Sequence, residues 1–414
     1  MKGDGGVPHM RTNSLCVGVL VLGLFVIPSA CAKPIPPRTE PNLTPARLDR
    51  FRVLTYNTLH GLEVGRFGVR PGESKDERRE RFKLQFQQLA QAQPDVMLLQ
   101  EVNPLPEMAD AYVDGLEGFG LQYGEVHQVD ACGIRLGRLL TVAPGLNNGL
   151  AVLVKAPLRL RKLEGLKLSG GIGGCHDRIG LQTGELRYAL IAEVENPATQ
   201  RKILAVSLHL HSGIERDEYF IQKINQAREE GRLPNDDDLQ EVSAALQDDQ
   251  ERRIQELRTL LQELRKRQAE EDYIGAVIGG DFNFEPDSPE YRELEQAGLT
   301  DTYTIARHKR ELYTYDPLQN PVAGHEEEAL PTALSQAIKS LPQNEQEKVI
   351  GSYRKGLRQA RRIDFLFIMM SKPSATLKGC LKQELFGQTT AVPVRAGSDH
   401  YGVLDTFVLD PAQC

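Results

Sequence analysis

Short segments of this chain bring carboxylate, amide and imidazole groups to the ends of apolar runs, where a sheet would deliver them to one edge. In Ile278-Gly279-Gly280-Asp281-Phe282-Asn283-Phe284, extended backbone would point Asp281 and Asn283 to the same side. A carboxylate would then stand beside an amide. Gly279 and Gly280 let another chain or a ligand come close to the backbone. Asn57 closes the run Leu54-Thr55-Tyr56, and Glu101 closes Leu98-Leu99-Gln100. Glu101 and Asp281 are oxygen donors of the kind magnesium takes, one or two carboxylates at a time, with water and substrate phosphate completing its shell.

Histidines supply the second ingredient. Alternation along Ser207-Leu208-His209-Leu210-His211 puts both imidazoles on one face of a strand, opposite the leucines. Ser398-Asp399-His400 lies near the C-terminus, after a loop containing proline and glycine. Asp364 interrupts the otherwise apolar stretch Ile363 to Ile368. A buried carboxylate needs a partner; a histidine is one choice, and the neighbouring Arg361 or Arg362 is the other. Taken together, these groups suit in-line hydrolysis of a phosphoester. That reaction needs an oriented water, relief of charge on the phosphoryl oxygens and a proton for the leaving oxygen.

The order TYN, LLQEV, LHLH, GGDFN, RRIDF, SDH resembles the endonuclease/exonuclease/phosphatase superfamily. Its members include pancreatic-type deoxyribonuclease, abasic-site endonucleases, inositol-polyphosphate 5-phosphatases and neutral sphingomyelinases. The likeness runs from Phe51 to about Val408. It implies an α/β fold: a four-layer sandwich of two packed mixed β-sheets with helices on the outer faces. By motif, it makes Asn57, Glu101, Asp281 and Asp399 the residues around a divalent metal, Mg2+ first and Mn2+ or Ca2+ as alternatives. It makes His209, Asp281, Asn283, Asp364 and His400 catalytic, with Asp364 orienting His400. Arg187, in Gly184-Glu185-Leu186-Arg187-Tyr188, joins His209 and Asn283 as a contact to the substrate phosphate. Leu208 and Val154 stand where threonine and serine are frequent in the superfamily. The implied substrate is a phosphodiester in nucleic acid or a phospholipid head group. An inositol-phosphate-type phosphomonoesterase and a non-catalytic binding protein are the alternatives.

The elements that must position these residues read as a mixed α/β domain over 49–414. Strands are expected over Phe51–Tyr56, Val96–Leu99, Leu150–Val154, Ala189–Val194, Ile203–Leu210, Ala276–Ile278 and Ile363–Ile368. Phe82, Phe86 and Leu89 sit at helical spacing, predicting a helix over Glu80–Gln93 that Pro94 closes. The charged stretch from Ile214 to Asp272 reads as helical, with a break at Pro234 to Asp238. Ile254, Leu257, Leu260, Leu261 and Leu264 form an apolar stripe fit to pack on a sheet. Its more polar first half, around 214–250, reads as an insertion over the site mouth. A second polar insertion is expected around 321–348.

Of the 414 residues, 40% are hydrophobic and 26% charged, enough apolar side chain for a buried core. The net charge of -7 supplies no global positive field, which leans against a dedicated nucleic-acid binder. Residues 1–31 read as a secretory signal: Leu15 to Ile27 is apolar and uncharged, and Ser29-Ala30-Cys31 resembles a lipoprotein cleavage site, with Pro28 where an apolar residue is usual. Residues 32–48 are a proline-rich spacer. The expected location is across the inner membrane, as a lipid-anchored protein facing the periplasm or the cell surface. Outside the cytoplasm, Cys132, Cys175, Cys380 and Cys414 could pair in three ways; Cys132 with Cys175 and Cys380 with Cys414 close the shortest loops. No Cys/His spacing suits structural zinc, and no protein partner is implied.

Overall fold

The computed structural model describes residues 50–65, 68–137, 139–171, 173–175, 181–182, 186–212, 237–306, 312–323, 342–371, 381–388 and 396–408. The signal and spacer, the 214–236 part of the first insertion, most of the second insertion, and Cys380 with Cys414 lie outside these residues. The early strands are β1 (Arg50–Asn57), β2 (Leu62–Gly65), β3 (Gly68–Pro71), β4 (Val96–Val102), β5 (Tyr123–Gly137), β6 (Leu139–Lys155) and β7 (Arg159–Gly170). Then come β8 (Gly173–Gly174), β9 (Leu181–Gln182), β10 (Leu186–Asn196), β11 (Arg201–His209) and β12 (Tyr273–Asp281). The last are β13 (Thr300–Asp301), β14 (Asp364–Met370), β15 (Leu381–Phe386) and β16 (Gly402–Val408). The helices are α1 (Lys75–Ala92), α2 (Glu107–Glu117), α3 (Asp237–Glu270), α4 (Pro289–Gln296), α5 (Thr302–Ile305) and α6 (Gln343–Leu357).

One sheet runs β15-β16-β1-β4-β6-β5-β9-β8 and the other β13-β14-β12-β11-β10-β7, with β2-β3 a separate ribbon. Both large sheets are mixed: β1 is parallel to β4, and β11 to β12. Alternation explains the layers. Leu54 and Tyr56 leave β1 towards Leu89 of α1 and Tyr112 of α2, whereas Val53 leaves it towards Ala205, Val277 and Leu366 of the other sheet. The far side of that sheet packs on Leu257, Leu260, Leu261 and Leu264 of α3 and on Tyr291 and Leu294 of α4. Strands buried on both faces read as continuous apolar runs, which is why they were legible. The result is the expected four-layer sandwich.

Close approach of the sheets depends on Gly279. A Cβ there would collide with Thr55 and Leu98 of the opposite sheet, so the close neighbour its sequence anticipates is protein. Beside it, Gln100 Nε2 donates to Ser207 Oγ (3.0 Å), and Ser207 Oγ to the Leu99 carbonyl (2.9 Å), tying the sheets together below the rim.

Element ends differ from the sequence expectation where polar groups set them. Helix α1 starts at Lys75, ahead of the apolar spacing, because Ser74 and Glu77 form a reciprocal capping box. Strand β6 extends back to Leu139 by pairing with β5, a strand whose sequence has no apolar run to mark it. Cys132 and Cys175 are bonded, the shorter-loop pairing for those two.

Asp405 on β16 is buried among the groups between the sheets, paired in register with Val53 and Gln383. Gln383 donates to Thr302 Oγ1 (2.8 Å), and neither Asp405 oxygen has a hydrogen-bond partner among the described residues. Burial, with the charge of Asp301 adding to it, pushes this carboxyl up to about 7 against the opposing effect of Thr302 and Gln383. The folded state therefore keeps a proton that the unfolded chain gives up near pH 4. Stability should fall as pH rises from about 4 to about 7, by at most about 4 kcal/mol. Asp405→Asn is expected to remove that dependence and to raise the unfolding free energy at pH 8, as urea titrations at pH 5 and pH 8 would read. Identical wild-type and variant curves at pH 8 would refute it.

Candidate active site

Three adjacent strands set out one row of side chains. His209 pairs in register with Asp281, and Asp281 with Asp364. Paired positions in a sheet share a face. Counting back by twos reaches Ala205 and Val277, and forward by two reaches Leu366, all in the core between the sheets. The row therefore caps that core at its rim. Asn57 arrives from the opposite sheet with the parity of Val53, also of that core. Its Nδ2 donates to Glu101 Oε1 (3.0 Å) and to Asp281 Oδ2 (3.2 Å), and its Oδ1 accepts from the Leu59 N–H (3.1 Å).

Glu101 gets there by breaking the pattern. By alternation it follows Leu99, which faces α1 and α2. The pairing of β4 with β6 is irregular between Leu99 and Val102, and Glu101 has φ +57°. This left-handed residue in a bulge turns the carboxylate to the rim, a strain of the kind found at functional sites. Its Oε2 accepts the His60 N–H (2.9 Å) and lies 3.7 Å from His60 Nε2. His60 is the residue the motifs missed; its signal was a histidine three positions after Asn57, in the same loop.

Both histidines from distant chain segments converge on one oxygen. His209 Nε2 is 3.7 Å, and His400 Nε2 3.8 Å, from Asp281 Oδ2. Nδ1 of His400 is hydrogen-bonded to Asp364 Oδ2 at 2.8 Å. The competing partners of Asp364 are engaged elsewhere: Arg362 pairs with Asp301 at 2.7 Å, and the Arg361 guanidinium lies over the Tyr315 ring. The alternation expected of the two histidines stops at His209, where β11 ends. His211 Nε2 meets Asp249 of α3 at 2.6 Å instead. Asn283 also lies past its strand, with φ +54°. Its N–H donates to Asp281 Oδ1 (3.0 Å) and its Nδ2 to the Leu210 carbonyl (3.1 Å). It reaches Asp281 through its backbone, and the side-by-side alternation expected of the pair is absent. Asp399 follows Ser398, whose Oγ donates to it at 3.0 Å. Arg187, expected beside the phosphate, is buried in β10 opposite Ser169, whose hydroxyl meets Glu256 of α3, so it lies on the α3 face of the sheet and outside the row of His209.

Electrostatics divide the carboxylates. Burial alone would raise the Glu101 carboxyl, but the charges of His60 and His209 and the donors of Asn57 and His60 hold it well below the usual range. Asp281 goes the other way: burial first, then Asp364 and Glu101, push it up to about 7, against His400. Burial would lower His400, yet Asp364, Asp399 and Asp281 together raise it well above its ordinary value. The rim thus pairs a firmly ionised oxygen donor with a carboxyl poised near neutrality and an imidazolium, a pattern suited to proton handling. Asp281, Asp364 and His400 offer ligand atoms within 4.8 Å of one another. The Asp364–His400 hydrogen bond already engages two of them. Glu101 and Asp281, both held by one Asn57 amide, form the cradle whose oxygens fit a hard cation.

A two-sheet sandwich with carboxylates and histidines gathered at one rim is the frame of a phosphoesterase. The sequence profile described as Endonuclease/Exonuclease/phosphatase family matches residues 54–400, and the chain belongs to that family. No functionally curated protein matches the sequence. Among solved structures, truncated Caenorhabditis elegans TDP2 is similar at 15% identity and a TM-score of 0.51, over 87% of this chain and 97% of that one. D. rerio TDP2 complexed with single-strand DNA product shows 16% identity and a TM-score of 0.47, over 86% and 98%. A mannosyl-6-phosphatase of Bacteroides thetaiotaomicron shows 14% identity and a TM-score of 0.47, over 86% and 98%.

Proposed function

We propose that this protein is an extracytoplasmic phosphodiesterase that works with a bound divalent cation. The observation that carries the reading is Asp281: one buried carboxylate within 4 Å of both imidazoles and hydrogen-bonded to the Asn57 amide that also holds Glu101. Asp281 is the group that orients and deprotonates the attacking water, a role supported by its Oδ2 lying 3.7 Å from His209 Nε2 and 3.8 Å from His400 Nε2. Glu101 and Asp281 would supply oxygens to the cation, with Asn57 fixing both carboxylates and Asp399 as a further candidate ligand; magnesium is the first choice, manganese or calcium the alternatives. Such a cation supplies charge relief at the phosphoryl oxygens. His209 and Asn283 steady the phosphate. Asp364 keeps Nδ1 of His400 engaged, leaving Nε2 to serve the scissile phosphate. The apolar run before Cys31 and the Cys132–Cys175 disulfide support an oxidising compartment and a lipid anchor on the membrane.

The test is a panel of phosphoesters offered to the purified protein with Mg2+, Mn2+ or Ca2+: bis(p-nitrophenyl) phosphate, DNA, RNA, sphingomyelin vesicles and inositol phosphates. Diester cleavage with Mg2+, lost in EDTA by more than about 100-fold (about 2.7 kcal/mol of barrier) and restored by added Mg2+, is the expected result. Full turnover after exhaustive chelation would remove the metal from the mechanism. Cleavage confined to monoesters would make the protein a phosphomonoesterase, and tight binding without turnover a binding protein.

A further inference from the structure

The His400 segment has no strand of its own, because β16 begins only at Gly402. Something else must hold the Ser398–Asp399–His400 turn against Asp364. The segment Thr314-Tyr315-Asp316-Pro317-Leu318-Gln319-Asn320 does so from both ends. Buried Thr314 accepts the N–H groups of Ile363 (3.1 Å) and Asp364 (3.0 Å) on its hydroxyl, and its carbonyl accepts the Tyr401 N–H (2.6 Å). One residue thus touches the chain at Asp364 and just past His400. The Tyr315 ring meets the His400 imidazole edge to face, centroids 5.4 Å apart.

At the other end Asn320, 1% exposed, spends its amide on the turn. Nδ2 donates to the carbonyls of Ser398 (2.9 Å) and Asp399 (3.0 Å), and Oδ1 accepts the Val322 N–H (3.0 Å). Asn320 is itself fixed. Buried Asp316 accepts the N–H groups of Leu318 (3.1 Å) and Gln319 (3.2 Å) on Oδ1 and that of Asn320 (2.8 Å) on its carbonyl. On the opposite flank, Gln85 Nε2 donates to the carbonyls of Gly397 and Thr58. Buried carbonyls without partners are costly, so these amides decide where the turn sits.

We propose that Asn320 is a positioning residue for His400. By holding the carbonyls of Ser398 and Asp399 it sets the distance between His400 and Asp364, and so the reach of Nε2 into the site. The catalytic part of this inference rests on the phosphoesterase reading; the geometric part does not.

Asn320→Asp is the sharpest test, since it keeps the shape and replaces both donors with an oxygen facing two carbonyl oxygens. In the full-length protein with Mg2+ and bis(p-nitrophenyl) phosphate, kcat should fall at least about 100-fold with KM within about threefold, the signature of a misplaced reacting group. Asn320→Ala, free of the repulsion, should lose about tenfold. A low-field proton resonance of His400 Nδ1–H, assigned by its loss in Asp364→Asn, should weaken or shift in both variants. That signal needs no turnover, so an inactive wild type with a shifted resonance would sink the phosphoesterase reading and leave the positioning role standing. Three outcomes would overturn the proposal: an unchanged resonance, a kcat within threefold of wild type in both variants, or both variants unfolded at the assay temperature, which would make Asn320 a residue of stability alone.

Discussion

Asp281→Ala is expected to lower kcat on a phosphodiester by about 1000-fold or more, about 4 kcal/mol of barrier, while leaving the protein folded. The side chain is the meeting point of the site. Its Oδ2 accepts from Asn57 and faces His209 and His400, and its Oδ1 accepts from the Asn283 N–H. Removing it takes away the orientation of the water and half of the cation cradle together. Stability should not suffer in proportion. Burial and the neighbouring charges of Asp364 and Glu101 already disfavour an ionised Asp281, so alanine removes a crowded charge as it removes hydrogen bonds. Steady-state kinetics and thermal denaturation on the same preparation separate the two effects. A variant that retained more than about a tenth of the wild-type kcat would show that the role belongs to another residue.

Arg253→Ala should be the most destabilising single change in the polar interior, by about 3–5 kcal/mol, because it strands a buried charge. Arg253 and Glu290 are both 1% exposed, with Arg253 Nε donating to Glu290 Oε1 at 3.0 Å. The pair joins α3 to α4. Around it, Glu256 accepts the His211 N–H (3.1 Å), and the Arg253 Nη1 reaches the His211 carbonyl (3.5 Å). The network therefore anchors the chain just past His209. Replacing both partners with methionine should recover most of the loss, since a well-packed apolar pair can stand in for a buried ion pair. Urea titration of the two variants measures this directly. A loss below about 1 kcal/mol in Arg253→Ala would mean that solvent reaches the pair.

Nothing in the sequence of α3 set this network apart. Arg253 and Glu256 fall in a stretch dense with charges, and charges at helical spacing read as a solvated face. The leucine stripe of the same helix was legible because apolar periodicity reports burial directly; a buried ion pair has no such signature until α4 is seen beside it. Glu101 shows the same limit on a smaller scale. Its position after an apolar strand was visible, but alternation would send its carboxylate towards the helices, and only the bulge turns it to the rim.

The sequence by itself determined the family, the two-sheet architecture and most of the residues gathered at the rim, because strands buried on both faces and the motifs that end them are local patterns. Residue type and order were enough to name Asn57, Glu101, His209, Asp281, Asp364 and His400. Tertiary structure alone decided how they meet. The register of β11, β12 and β14 places His209, Asp281 and Asp364 in one row. Asn57 crosses from the other sheet, and His60 and Asn320 enter from loops. Register and sheet-to-sheet approach are set by the packing of segments hundreds of residues apart, at points such as Gly279 where one missing Cβ lets the sheets close; no local pattern carries that information.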